Sequence, residues 1–277
     1  MSQAGSLLSV LRDDDADCAL PRTAIVAAHP DDEAVGAGSR LPRLAQARFI
    51  YVTDGAPADA ADATAHGLSV GAYASVRRRE LKRALQLCGI AFEQVHSLGY
   101  ADQGVALRLP CLARDLADLF VAMNTEAVLT HAYEGGHPDH DATAFAVHAA
   151  AALLRRAGRP PLELLEMASY HMGAQGIRAG AFLPAREADR HAVVVTLDRD
   201  EQRRKRALFD CHATQRRTLA YFPVDVECFR PSPDYDFLRP PHQGKLFYEC
   251  QPWGMDGERF CALAAQAMAE LALEGPL

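Results

Sequence analysis

The chain has 277 residues, 49% of them hydrophobic, so it can bury a large core as one α/β domain or as a domain with an appended subdomain. Its 29 basic and 36 acidic residues give a net charge of −7, which argues against a nucleic acid as the main partner. Seven scattered cysteines without a C-x-x-C pair indicate neither a disulfide framework nor a thiolate zinc site. The N-terminus lacks the pattern of a signal peptide, and no apolar run reaches about 18 residues. We therefore expect a cytoplasmic protein without a membrane span.

The first predicted elements alternate between strand and helix. Residues 23–28 are β-branched or alanine for the most part and predict a buried strand, which a helix should follow. Residues 48–53 predict a second strand, and the Ala/Asp/Gly-rich residues 56–71 predict a long loop. Residues 73–88 have apolar positions at helical spacing and predict the next helix.

The same alternation continues through the middle of the chain. Residues 95–99 predict a third strand, residues 112–124 a helix, and residues 127–131 a fourth strand. Residues 139–156 predict a long helix with Pro138 at or near its first position. Strands that alternate with helices favour an open, mostly parallel, Rossmann-like sheet flanked by helices.

The end of the chain is less regular. Residues 192–197 predict a strand, residues 198–214 a charged helix, and residues 258–273 a closing helix. The proline-rich residues 222–252 predict an irregular region with short strands at best.

This pattern predicts three parts of the chain. They are an N-terminal extension of residues 1–22, a Rossmann-like catalytic domain of residues 23–215, and a C-terminal extension of residues 216–277 that packs on it.

Two clusters of histidine and carboxylate follow predicted strands. His-Pro-Asp-Asp-Glu at 29–33 follows the first strand, and His-Pro-Asp-His at 137–140 follows the fourth. Ligands of open α/β sheets bind beyond the carboxyl ends of the strands, so the two clusters are expected to converge there. Imidazole nitrogen and carboxylate oxygen suit a divalent metal such as Zn²⁺, and three protein ligands leave a position open for water.

The residues themselves leave the division of roles open. Asp31 and Asp32 are adjacent and point in different directions, so one can bind a metal while the other acts as a base. His137 and His140 can face one site while only one of them coordinates. The predicted helix also directs its positive N-terminal end at this site.

Five short sequence pieces occur in a fixed order. They are A-H-P-D-D-E at 28–33, T-D-G at 53–55, R-x-x-E at 77–80, H-P-D-H at 137–140 and H-A-T-Q at 212–215. In this order and spacing the chain resembles the PIG-L/LmbE-like family of zinc-dependent N-deacetylases. The resemblance covers roughly residues 23–215 and implies one zinc ion per chain.

The resemblance implies specific roles at the metal. His29, Asp32 and His140 would bind zinc, and Asp31 would be the general base that acts on a metal-activated water. The implied enzyme is a hydrolase of a linear amide bond, which removes the acetyl or acyl group of an N-acetylglucosamine-type amino sugar. Its substrate would be a small molecule or a glycoconjugate.

Three further roles follow from the same resemblance. His137 would stabilise the tetrahedral intermediate, Asp139 would orient His137, and Arg77 would contact the substrate. Arg78 or Arg79 could face the site instead of Arg77.

For several other side chains the sequence allows two roles. Some relatives have a tyrosine where this chain has Gly135, and Tyr133 could substitute for it. His212 could have a role in the site or only a structural hydrogen bond. The aromatic residues of segment 222–253 could line the pocket or pack in the core. These aromatic residues are Tyr235, Phe237, Phe247, Tyr248 and Trp253.

The sequence is also compatible with other functions. Residues 29–33 alone could form an ordinary strand-to-helix turn with capping aspartates. The same metal centre could serve a zinc amidase that acts on a non-sugar or thiol-conjugate amide, or a phosphoester hydrolase, although a two-metal phosphoesterase needs more bridging carboxylates. The alternative without catalysis is a Rossmann-like binding protein. The sequence leaves open whether the chain forms a homo-oligomer.

Overall fold

The computed structural model of the protein describes residues 6–12, 19–184 and 188–277. Within these residues the strands are β1 (Thr23–Ala27), β2 (Arg48–Pro57), β3 (Val95–Asp102), β4 (Ala127–His131), β5 (Glu163–Met167), β6 (Tyr170–Gly173), β7 (Gly176–Ala179), β8 (Val193–Thr196) and β9 (Val226–Pro231). The α-helices are α1 (Leu7–Arg12), α2 (Asp32–Ala37), α3 (Ala61–Ala65), α4 (Val70–Leu87), α5 (Leu109–Ala122), α6 (Pro138–Arg156), α7 (Arg199–Cys211), α8 (Arg216–Leu219) and α9 (Gly257–Leu271).

The main sheet of the described chain has the strand order β3-β2-β1-β4-β5-β9-β8. β1 pairs in parallel with β2 and β4, and the pairs β2–β3 and β4–β5 are also parallel. β9 runs antiparallel to β5 and to β8. This confirms the predicted α/β class with an open, mostly parallel sheet. The strand order reverses between β1 and β4, so a crevice opens where their carboxyl ends separate.

Residues of β1 alternate between two hydrophobic cores. Ala24 and Val26 pack in the core that also contains side chains of α5, α6 and α9. Ile25 and Ala27 pack on the opposite face of the sheet with side chains of α2, α4 and α7. Because both faces are covered, every residue of β1 is buried, which explains its continuous apolar sequence.

The C-terminal region contains α8, β9 and α9, and the last two join it to the rest of the fold. β9 extends the main sheet, and Arg230 on this strand forms a buried ion pair with Glu166 of β5 (2.9 Å). α9 packs on α5 and α6. The division of the chain at residues 22 and 215 stays a prediction.

Two parts of the chain differ from the sequence-based expectation. The loop expected at residues 56–71 contains the end of β2 and helix α3, and α4 begins at Val70 because the Ser69 side chain accepts a hydrogen bond from the backbone N–H of Ala72 (3.3 Å). The segment that forms β5, β6 and β7 had no predicted strand.

The N-terminal extension is described only in part. Residues 1–5 and 13–18 lie outside the described residues, and α1 buries Leu7 and Leu11 against the sheet face that contains Ile25. No helix in the described part of the chain has the length and apolar character needed to cross a bilayer. The cytoplasmic location stays a prediction.

Candidate active site

The two predicted clusters meet at the carboxyl ends of β1 and β4. His29 lies two residues beyond the end of β1, and His137 is the N-cap of α6. β3 ends nearby at Asp102. These side chains line one pocket, together with residues of the C-terminal region. The convergence predicted from the strand order is therefore present in the structure.

His29, Asp32 and His140 form a compact group of three buried ligand candidates. One atom of each lies within 4.8 Å of the others. Nε2 of His140 is 3.1 Å from Oδ1 of Asp32, and Nδ1 of His29 is 3.3 Å from Oδ2 of Asp32. Burial opposes ionisation of Asp32, but the neighbouring imidazoles, first that of His140, hold its pKa well below the ordinary value. Two imidazoles and an ionised carboxylate are a donor set that fits a divalent cation such as zinc.

His131, at the end of β4, supports this group and was not predicted from the sequence. Its ring stacks on that of His140 with a centroid distance of 4.0 Å. Its Nε2 accepts a hydrogen bond from the backbone N–H of Ala28 (3.0 Å). Burial and the nearby His140 lower the pKa of His131 to about 4, so the ring is neutral at physiological pH. The only signal in the sequence was its position at a strand end.

Asp102 was also missed, because β3 was expected to end at Gly99. Its Oδ1 lies 3.3 Å from Nε2 of His29, on the side of the ring opposite to Asp32. Asp102 belongs to a second group of candidate ligands that shares His29 with the first and adds His137 and Asp139. Burial opposes ionisation of Asp102, but His29 holds its pKa well below the ordinary value.

The structure places Asp139 close to His29 and less close to His137. Its carboxylate accepts hydrogen bonds from the backbone N–H groups of Gln103 (2.6 Å) and Val105 (3.1 Å). Oδ2 of Asp139 lies 3.4 Å from Nε2 of His29 but 4.0 Å from Nδ1 of His137. The second distance is longer than a hydrogen bond. The role of Asp139 in orienting His137 stays a prediction.

His137 is held by its own backbone neighbourhood and by an aromatic ring. Its Nδ1 accepts a hydrogen bond from the backbone N–H of Asp139 (3.1 Å), which leaves the hydrogen of a neutral ring on Nε2. Its ring centroid is 4.5 Å from that of His29 and 4.5 Å from that of Trp253. Burial, with the neighbouring His29 and His140, holds the pKa of His137 well below the ordinary value. The neutral ring can therefore donate a hydrogen bond from Nε2.

Asp31 pairs with Arg77 on the other side of the pocket. Nη2 of Arg77 lies 3.1 Å from Oδ2 of Asp31, and the guanidinium also donates to the carbonyl oxygens of Gly55 (2.9 Å) and Pro30 (3.2 Å). Burial raises the pKa of Asp31, and the charge of Arg77 opposes this effect. The side chain of Arg77 thus ties the loop after β1 to the end of β2.

The structure separates Arg77 from its two neighbours. Arg77 is buried in the pocket, whereas Arg78 and Arg79 are exposed. The guanidinium of Arg78 lies 5.1 Å from the ring centroid of Phe92, away from the pocket. Of the three arginines, Arg77 is the one at the site.

Two of the weaker sequence pieces bind each other. The carboxylate of Glu80, from R-x-x-E, accepts hydrogen bonds from the backbone N–H (3.0 Å) and the hydroxyl (2.5 Å) of Thr214, from H-A-T-Q. His212 is buried, and both of its ring nitrogens lack a hydrogen-bond partner among the described residues. The structural hydrogen bond considered for His212 is thus absent from the described part of the chain.

Tyr133 does not reach the pocket. Its hydroxyl donates to the carbonyl oxygen of Arg239 (2.9 Å), and its ring packs against Phe237 in the core. Gly135 has a φ of +71°, and a Cβ there would lie 2.6 Å from Cδ2 of Leu246, so a tyrosine does not fit at this position. A different tyrosine, Tyr170, lines the pocket.

The aromatic residues of the C-terminal region divide between the two roles considered for them. Trp253 lines the catalytic pocket, and Phe247 packs edge-on to Trp253 with a centroid distance of 6.2 Å. The remaining three pack in the hydrophobic core and are Tyr235, Phe237 and Tyr248.

Comparison with known sequences places these features among deacetylases. Residues 24–151 match the model of the family PIG-L, described as GlcNAc-PI de-N-acetylase. A probable N-acetyl-alpha-D-glucosaminyl L-malate deacetylase 2 of Bacillus anthracis is 29% identical over 153 residues. This alignment covers 53% of the present chain and 66% of the relative, so it spans just under two thirds of the relative's length.

Solved structures of deacetylases share the fold. The zinc-inhibited form of teicoplanin deacetylase Orf2 superimposes with a TM-score of 0.55 at 18% identity, covering 76% of this chain and 97% of that one. The N,N'-diacetylchitobiose deacetylase from Pyrococcus horikoshii gives a TM-score of 0.52 at 18% identity, covering 70% of each chain. The fold predicted from the sequence is confirmed, and residues 24–151 match the family that the sequence resembles.

Proposed function

We propose, on the premise that residues 24–151 match the model of the PIG-L family, that the chain is a zinc-dependent hydrolase of an amide bond. It would remove the acetyl group of an N-acetylglucosamine-type amino sugar in a small molecule or glycoconjugate. One observation carries this proposal. A buried cluster of His29, Asp32 and His140 lines the same pocket as Asp31 and His137.

His29, Asp32 and His140 would hold the zinc ion. Their donor atoms are close together and buried, and each residue can offer a nitrogen or an oxygen to the ion. When bound, zinc supplies Lewis acidity to an acyl carbonyl and makes water a stronger acid.

Asp31 would act as the general base. Its Oδ2 pairs with Arg77, which leaves Oδ1 to accept the proton of the attacking water. Burial raises the pKa of this carboxylate and makes it a stronger base, and the charge of Arg77 opposes this effect. Arg77 would therefore orient the base, and a direct contact of Arg77 with the substrate remains part of the proposal.

His137 would act on the opposite side of the substrate carbonyl. Its Nε2–H can donate a hydrogen bond to the oxygen that becomes negative in the tetrahedral intermediate. The proton that Asp31 accepted from the water can then move to the nitrogen of the departing amine, after which the carbon–nitrogen bond breaks. The products are acetate and a free amino sugar.

The direct test is amine release by the zinc-loaded protein from a panel of N-acetylglucosaminides. We expect release of acetate and amine in equal amounts, and loss of activity after treatment with a chelator that zinc alone restores. If no acetylated amino sugar is hydrolysed although zinc is bound, the deacetylase proposal is wrong and a non-sugar amide becomes the candidate substrate.

A further inference from the structure

A second groove opens beside the catalytic pocket. It has a cavity volume of about 410 Å³, compared with about 150 Å³ for the catalytic pocket. The groove is formed by the β6–β7 hairpin, by α8 with the turn after it, and by residues 247–253. All three segments lie outside residues 24–151, which carry the family match. The walls of the groove are thus specific to the C-terminal part of this chain.

The groove is continuous with the catalytic pocket. Tyr170, Thr218, Phe222 and Trp253 line both cavities. Trp253 also packs on His137, with ring centroids 4.5 Å apart. A substrate whose amide lies at His137 can therefore extend over Trp253 into the groove.

The wall of the groove consists largely of aromatic rings. The ring of Tyr170 meets those of Phe247 and Phe222 edge-on, at centroid distances of 5.3 Å and 5.6 Å. Tyr221 and Ile177 leave 73% and 47% of their surface exposed. Exposed apolar side chains in a concave surface beside a catalytic pocket indicate contact with an apolar part of the ligand.

One positive charge lies in this groove. Arg217, on α8, is exposed and forms no ion pair with the described residues. A guanidinium in this position can bind an anionic group at the end of an otherwise apolar ligand.

The sizes of the two halves of the substrate indicate which of them enters the groove. His137, which would contact the carbonyl oxygen of the amide, packs on Trp253, where the groove begins. An acetyl group extends only one methyl beyond that carbonyl, so the half that is long enough to enter the groove is the amino sugar with its aglycone. We infer that the groove binds the aglycone of the amino sugar, and that this aglycone is an apolar group of aromatic size with an anion near Arg217. This inference rests on the proposed function.

The substrate test uses the zinc-loaded protein with the methyl, phenyl and 4-carboxyphenyl glycosides of N-acetylglucosamine, in both anomeric forms. We expect kcat/KM for the phenyl glycoside to exceed that for the methyl glycoside by roughly 10- to 100-fold, because a buried phenyl ring gains hydrophobic free energy. The carboxylate should add a further factor of about 3 to 10. Equal values for all three glycosides, or a preference for bulky N-acyl groups instead, would overturn the inference.

Variants of residues that line the groove test whether the apolar aglycone binds there. Ile177→Ala and Tyr221→Ser should each lower the ratio of kcat/KM for the phenyl and methyl glycosides by about 3- to 10-fold. The matched control is Val194→Ala, an exposed β-branched residue on β8 that does not line the groove. Ratios unchanged in both groove variants contradict the inference.

The role of the Arg217 charge is tested by comparison with the neighbouring Arg216. Arg217→Gln should remove the advantage of the carboxyphenyl glycoside over the phenyl glycoside. Arg216 is also exposed on α8 but does not line the groove, so Arg216→Gln should retain the advantage. An equal loss in both variants would show a general effect of charge and would overturn the role given to Arg217.

A binding measurement separates this inference from the proposed function. Trp253 is the single tryptophan of the chain, so tryptophan fluorescence reports directly on the groove. Titration with 4-carboxyphenyl glucosaminide should give a saturable change that Tyr221→Ser weakens and Val194→Ala preserves. If no glycoside is hydrolysed but this change occurs, the groove assignment holds and the deacetylase proposal fails. If no saturable change occurs, the groove assignment fails.

Discussion

The imidazole of His131 lies nearly parallel to that of His140, with an interplanar angle of 13° and a centroid distance of 4.0 Å. The same ring places Nε2 3.2 Å from Oδ2 of Asp32 and accepts a hydrogen bond from Ala28. His131 thus contacts two of the three proposed zinc ligands and ties them to the end of β1. A side chain in this position fixes the geometry of ligands without binding the ion itself.

His131→Ala is therefore expected to weaken zinc binding by roughly 10- to 100-fold, the usual effect of removing a residue that supports metal ligands. Competition with a fluorescent chelator measures the zinc Kd. The control is His66→Ala, because His66 is exposed on the turn after α3. Equal zinc affinity in the His131 variant and the wild type would show that His131 only fills space.

His140→Ala is expected to remove a ligand and to lower the zinc content of the purified protein well below one ion per chain. Elemental analysis measures the content directly. Full occupancy in this variant would exclude His140 from the ligand set and would favour the second group of candidate ligands at Asp102.

Asp31→Asn is expected to keep the zinc ion but to lower turnover by about 10²- to 10⁴-fold, because the amide cannot accept the proton of water. Arg77 still has a partner oxygen in this variant, so the loop should keep its conformation. Turnover is measured on the best N-acetylglucosaminide, and zinc is measured in the same sample. Near-normal turnover would remove the general-base role from Asp31.

The contact between Glu80 and Thr214 should contribute to stability, since a carboxylate that accepts two hydrogen bonds joins α4 to the turn after α7. Thr214→Val removes the hydroxyl donor and is expected to lower the free energy of unfolding by about 1.5 to 3 kcal/mol. Urea denaturation measures this loss. A double-mutant cycle with Glu80→Gln separates the pair energy from the effect of either side chain alone.

His148 predicts a pH dependence of stability away from the catalytic pocket. Its Nε2 lies 2.8 Å from the hydroxyl of Ser232, which donates in turn to Glu166, so the neutral ring acts as the donor to Ser232. Burial lowers the pKa of His148 to about 4. In the unfolded chain the ordinary value of about 6.5 applies. The unfolded state therefore binds more protons between these values, and the contribution of His148 to stability is lost as the pH falls through this range.

The contribution of His148 to the free energy of unfolding should fall by on the order of 3 kcal/mol once the pH has dropped to the pKa of the folded state. Urea denaturation of the wild type and of His148→Gln at about pH 7 and about pH 4.5 measures it. The variant should lose less stability between the two conditions than the wild type. Parallel losses in both proteins would assign the acid sensitivity to other groups.

The sequence predicted those parts of the structure that have a local signal. β1 and β4 are short and buried on both faces, so their sequences are mostly apolar, and β4 was placed at the residues where it occurs. The paired clusters followed from the rule that the carboxyl ends of parallel strands face one crevice.

Other parts depend on partners that are distant along the chain. β5 contains Glu163 and Glu166, and such charged residues are not typical of a buried strand. Glu166 is buried because Arg230 of β9 pairs with it and because Ser232 and Tyr235 donate hydrogen bonds to it. Asp102 and His131 each lie at a strand end, but neither belongs to a local cluster of histidines and carboxylates in the sequence. Their importance appears only when three strand ends are brought together.

The loop before α6 packs closely on the β6–β7 hairpin, and this contact couples the groove to the catalytic pocket. A Cβ at Gly136 would lie 2.1 Å from the carbonyl oxygen of Tyr170, so these two backbones touch without room for even a methyl group. Gly136 directly precedes His137, and Tyr170 forms part of the groove wall. A ligand group that shifts Tyr170 must therefore also shift the backbone beside His137. We expect a well-fitting aglycone to raise kcat as well as to lower KM, because Gly136 joins the groove wall to His137, which would stabilise the tetrahedral intermediate.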